Sequence, residues 1–143
     1  MWSRLFPLIF RTTPHRLMRA LRRRTASPYE ELIVVGRRSG RPRELLVTLA
    51  TVDGRWYVGH PDGAPTAWVA NLEAARGATI VRRDGSAVAV VATPLADGQE
   101  RDAAIEAAIR IQRFPVSRIY RGARRHILAE GQYFRLEPTT SSA

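Results

Sequence analysis

Four arginines, two glycines and a serine crowd into eight residues, Gly36-Arg37-Arg38-Ser39-Gly40-Arg41-Pro42-Arg43. The stretch Trp68-Val69-Ala70-Asn71-Leu72 begins 25 residues after the last of them. A guanidinium is a planar fork of donors that meets phosphate or carboxylate oxygens two at a time. Glycine allows positive φ and lets backbone amides come close to a ligand. Together they describe an anion cradle whose natural ligand is small and strongly acidic. Taken alone, the loop reads equally well as a solvated connection carrying charge for solubility. Trp68 alone reads as a core residue. Asn71 is a poor choice for a helix interior, so a cap or a bond to a neighbouring loop is expected of it.

The composition removes several other chemistries. Cysteine is absent, which excludes disulfides, thiol nucleophiles and thiolate metal sites. The three histidines, His15, His60 and His126, show no ligand spacing, and no Ser–His–Asp pattern appears. The net charge is +10; all 23 basic residues are arginine and lysine is absent. Such a surface attracts nucleic acid, anionic lipid or a polyanionic small ligand without choosing among them. The charge is uneven, since residues 1–24 hold seven arginines and no acid.

The elements that must hold the loop follow from periodicity. The chain divides into a basic amphipathic piece and connector (residues 1–28), one domain (29–138) and a disordered tail (139–143). Within the first piece Leu17, Met18 and Leu21 are spaced three and four apart, which predicts a helix over residues 15–24. Its arginines suit an anionic membrane surface, while no apolar run is long enough to span a bilayer. Strands are expected at residues 31–35, 43–52, 55–59, 78–83, 86–93 and 132–137. Asp53-Gly54 and Asp84-Gly85 mark tight hairpin turns. Helices are expected at residues 66–76, capped by Thr66 and stopped by Gly77, and at 97–113, with a capping box from Asp97 and Glu100. In the latter, Ile105, Ala108, Ile109 and Gln112 form the buried stripe. Phe114-Pro115 breaks it, and a short helix follows over residues 116–125. Tyr133 alternates with Phe134, so one of the two is expected in the core. The fold class is α+β, mainly β, with six antiparallel strands closing as a small barrel and helices outside.

With the arginine loop and the tryptophan–asparagine helix in this order, the chain from about residue 32 to 81 resembles the deazaflavin-dependent nitroreductase family. These are split β-barrel proteins that bind coenzyme F420. The resemblance implies that Arg37, Arg38, Ser39, Gly40 and Arg43 hold the cofactor's phosphate. Trp68 and Asn71 would lie beside the cofactor, and the segment with Gly63 and Ala64 would run along its ring. The implied reaction is hydride transfer to a quinone- or nitro-type acceptor, with Tyr120, His60 and Tyr133 as candidate proton donors. The ring segment is shorter than the family's, and Asp62 stands where a basic residue is expected. An acid there opposes an anionic cofactor unless it points away.

Other readings compete. Related split barrels use flavin mononucleotide, heme or biliverdin. A basic barrel without catalysis would bind an anionic membrane surface. Single-stranded nucleic acid is disfavoured because the aromatics are not interleaved with arginine along successive strands. A homodimer and a cytoplasmic location, with residues 1–24 against the inner face of the membrane, complete the expectations.

Overall fold

The computed structural model describes residues 29–62 and 66–139. The expected helix over residues 15–24, with its membrane contact, lies outside them, as do Gly63, Ala64 and residues 140–143. No helix among the described residues is long and apolar enough to cross a membrane.

Within the described residues seven strands form one antiparallel sheet: β1 (Tyr29–Val35), β2 (Pro42–Thr48), β3 (Ala50–Val52), β4 (Arg55–His60), β5 (Gly77–Val81), β6 (Ala87–Pro94) and β7 (Gln132–Pro138). Among the described residues four helices accompany them: α1 (Ala67–Ala75), α2 (Gln99–Ile111), α3 (Val116–Gly122) and α4 (Arg124–Glu130). The strand order is β2-β1-β5-β6-β7-β4-β3, and the sheet curls into a half-barrel.

The count of seven corrects the expected six. Residues 43–52 are apolar enough to read as one strand, yet they serve both edges of the sheet. β2 pairs with β1, Leu32 opposite Leu45. β3 pairs with β4, Thr51 opposite Trp56. The chain changes edge at Leu49, which is buried in the barrel interior, while the next residue, Ala50, joins the core on the other face. The Asp53-Gly54 turn forms as expected, both residues having positive φ.

Two cores result. Leu32, Val34, Val47, Val58, Ile80, Val90, Phe134 and Leu136 fill the inside of the half-barrel, and Val69 and Leu72 of α1 close one end. Ala50, Tyr57 and Tyr133 face outward into a second core with Ile105, Ala108 and Ile109 of α2, Tyr120 of α3 and Ile127 of α4. β7 is thus covered on both faces, so Tyr133 and Phe134 are both buried. Period-two alternation distinguishes in from out only where one face meets water.

Several helix ends depart from expectation. α1 stops at Arg76, which takes the left-handed conformation (φ 56°) beside a glycine that would adopt it freely. Gly77 is needed elsewhere, because a Cβ there would lie 2.8 Å from the Val90 carbonyl oxygen of the adjacent strand. Thr66 occupies the N-cap position of α1 without a side-chain cap bond. The Asp97–Glu100 capping box does not form. Gly98 is the N-cap of α2, and Glu100 instead accepts from Arg135 (2.7 and 3.0 Å) and from the Tyr57 hydroxyl (3.0 Å). The single helix expected over residues 116–125 is two, α3 and α4, meeting at buried Ala123 and running on to Glu130. The stripe Ile105, Ala108, Ile109 and Gln112 is buried as expected, with the Gln112 amide donating to Thr48 Oγ1 at the bend (3.0 Å).

Candidate functional site

The arginine loop connects β1 to β2 at the end of the half-barrel where α1 sits. Its backbone is folded on itself. The Gly36 N–H donates to the Arg41 carbonyl (2.8 Å), the Gly40 N–H to the Gly36 carbonyl (2.9 Å), and the Arg41 N–H to Ser39 Oγ (3.2 Å). Gly40 has φ +69°, and a Cβ on Gly36 would meet Ser39 Oγ at 2.7 Å, so both glycines are needed for shape. This corrects one expectation: these amides are spent inside the loop, and what the loop offers a ligand is guanidinium.

Asn71 resolves the question its position raised. Its Oδ1 accepts from the Arg37 backbone N–H (3.1 Å) and from Arg37 Nη1 (2.8 Å), and Nη1 also reaches the Ala67 carbonyl (3.4 Å). Asn71 is 9% exposed. One amide oxygen therefore locks the basic loop to the helix, and Arg37 is the loop's anchor. Arg38, Arg41 and Arg43 are exposed, and among the described residues no carboxylate pairs with any of them. Arg43 faces Val34, an inward residue, across the β1–β2 ladder, which places it at the mouth of the half-barrel. Its Nε lies 3.6 Å from where a Gly36 Cβ would be.

His60 ends β4 at this same mouth, its ring centroid 6.4 Å from that of Trp68 and tilted by 43°. It is buried, and burial holds its pKa below 6.5 against a smaller opposing pull from Asp62. Its Nδ1 accepts the Asp62 backbone N–H (3.3 Å), so the neutral ring carries its proton on Nε2.

Asp62 is paired with a residue of α4. Its carboxylate is buried and meets His126 Nε2 at 2.7 Å. His126 is only partly exposed in this pair.

The tyrosines lie elsewhere. Tyr120 and Tyr133 are neighbours in the helix-side core, and burial raises both well above the ordinary tyrosine range. Tyr133 stacks over Gly59, where a Cβ would run into its ring. It also lines an open crevice of about 350 Å³ with Asp97, Arg101 and Glu130. Arg101 is buried, and its guanidinium donates to the Leu128 carbonyl (2.7 Å) and twice to the Gly131 carbonyl (2.9 and 3.1 Å), closing the end of α4. The structure thus gathers Arg37, Ser39, Gly40, Arg43, Asn71, Trp68 and His60 at one end and leaves Tyr120 and Tyr133 in the other core.

Sequence reasoning missed Asp62–His126 and Arg101, whose partners are distant in the chain. Nothing local marks them except the oddity of an acid at position 62.

No family model matches the chain, and no curated protein matches it by sequence. Solved structures do match in shape. A conserved hypothetical protein of Mycobacterium tuberculosis superposes with a TM-score of 0.62 at 12% identity, over 90% of this chain and 82% of that one. An F420-H2 dependent reductase gives 0.58 at 19% identity, over 77% and 94%. The heme storage protein HutZ of Vibrio cholerae gives 0.57 at 16% identity, over 88% and 89%. At these identities the likeness establishes the fold, a split-barrel-like antiparallel half-barrel shared by reductases and heme-binding proteins.

Proposed function

We propose that this chain is a deazaflavin-dependent oxidoreductase, holding coenzyme F420 at the α1 end of the half-barrel and passing hydride to a quinone- or nitro-type acceptor. The observation that carries this reading is the lock between Arg37 and Asn71. It fixes a loop, whose other guanidiniums meet no carboxylate among the described residues, beside an indole-bearing helix, as an anionic handle on a flat ring requires. The donor chemistry fits such a handle. Arg38 and Arg43, with Ser39, supply charge-assisted hydrogen bonds worth about 1.5–3 kcal/mol each. With Asp62 turned into its pair with His126, the objection to an acid near an anionic ligand falls away.

When bound, the reduced deazaflavin supplies the hydride; the protein's part is alignment, exclusion of water and custody of a proton. Trp68 contributes an apolar wall. His60, neutral and carrying its proton on Nε2, is the group we assign to hydrogen-bond the acceptor oxygen as it gains negative charge, the proton itself arriving from solvent. Gly63 and Ala64 are proposed to run along the ring.

A buried imidazole beside an indole also favours a second reading, heme ligation by His60, in keeping with the heme proteins among the similar structures. One titration separates the two. Oxidised F420 added to the purified chain is expected to bind, with Arg38→Ala and Arg43→Ala each weakening it by about 1.5–3 kcal/mol, and menadione is expected to oxidise F420-H2 in its presence. No binding of F420, with hemin instead giving a His60-dependent Soret band, would replace the first reading by the second.

A further inference from the structure

We infer that Asp62 and His126 are positioning residues: by tying the segment after β4 to α4, they seat the His60 imidazole against Trp68. The inference rests on the reading of this end of the half-barrel as the ring site, and it adds two residues that no motif assigns to that site.

Asp62 holds a histidine on each side. Its side chain engages His126 Nε2 at 2.7 Å, and its own backbone N–H engages His60 Nδ1 at 3.3 Å. A carboxylate as buried as this one is costly unless paired, so the position of Asp62 is dictated by His126. The direction of the Asp62 amide then follows, and with it the ring plane and tautomer of His60. His126 is itself well placed to serve as a fixed point. It belongs to α4, whose end is held by the buried Arg101 guanidinium through the Leu128 and Gly131 carbonyls, and Ile127 beside it is fully buried. A continuous series of contacts therefore runs from the helical layer through His126 and Asp62 to His60 and Trp68. It joins positions 64 residues apart. Groups that orient a working imidazole act through its second nitrogen in just this way.

The test uses the full chain in a Trp2→Phe, Trp56→Phe background, so that emission reports Trp68 alone, together with nitrogen-15 spectra of the histidine rings. His126→Ala and Asp62→Ala are each expected to shift the His60 ring resonances and to make Trp68 more accessible to acrylamide. The double variant should do no more than either. His126→Gln, whose amide nitrogen can still donate to Asp62, should restore both signals. Unchanged His60 and Trp68 signals in the alanine variants would overturn the proposal, and so would a well-folded His126→Gln that fails to restore them. If the alanine variants do not fold, Asp62→Asn decides: it keeps the volume and removes the charge, and it should give a partial shift of the His60 ring, no shift again overturning the idea. None of these readouts needs the coenzyme. Failure of the unmodified chain to bind F420 would count against the function proposed above and leave this result standing.

Discussion

At the scale of single residues, Asn71 is the side chain on which the basic loop depends. Its Oδ1 takes two donors of Arg37, so Asn71→Ala strands a part-buried amide and a guanidinium together. The expected cost is roughly 1–3 kcal/mol, read by urea denaturation, and Asn71→Asp, which keeps the acceptor and adds charge, should recover most of it. The need for a partner at position 71 was legible from sequence, because asparagine inside a helix asks for a reason. The identity of that partner was not, because a cap and a bond to a neighbouring loop satisfy an asparagine equally, and only the fold brings Arg37 to it. Asp62 was legible only as an anomaly. Its meaning came from His126, and nothing local to either residue announces a bond across so long an interval of chain.

At the scale of elements, the strands and their turns were readable because their signals are local: apolar alternation, and Asp-Gly at Asp53-Gly54. The helix ends were not, because each is settled by a neighbour. Glu100 has the spacing of a capping-box residue but goes to Arg135, a charge partner available only once β7 is beside α2. Gly77 has the look of a helix stop but is claimed by the β5–β6 ladder, so Arg76 bears the left-handed turn. Two substitutions check this. Arg76→Gly should stabilise the chain by about 1 kcal/mol, by removing the cost of a Cβ at positive φ. Gly77→Ala should destabilise it by roughly 1–3 kcal/mol, because backbone rather than a flexible side chain must yield. Thermal denaturation of both variants reads the two opposite signs.

At the scale of the whole molecule, burial sets the range of pH over which the fold is strongest. His60 binds its proton more weakly folded than unfolded, burial being the larger cause. Its contribution is therefore complete above pH 6.5 and declines as pH falls below that value. Glu100, held below 4.5 chiefly by Arg135, adds a second decline at more acid pH. Tyr120 and Tyr133, raised by burial, keep their protons in the fold, so stability falls again as pH rises beyond the ordinary tyrosine value of 10. The expected profile is a plateau from about pH 6.5 to 10, and in His60→Phe the decline just below pH 6.5 should be absent. Chemical denaturation across pH measures it. The fold class itself was readable from the spacing of the strands and their hairpin turns, whereas the seventh strand and the bend at Leu49 were not, since both halves of residues 43–52 are equally apolar.

That bend carries a consequence for how the sheet keeps its alignment. The two outermost strands of the fan are consecutive words of one sentence, separated by a single leucine. If β2 slid along β1, it would drag β3 along β4 by the same distance, and every inward side chain at both margins would be displaced together. Alignment errors at the two margins are thus not independent events, and each margin proofreads the other through the covalent chain.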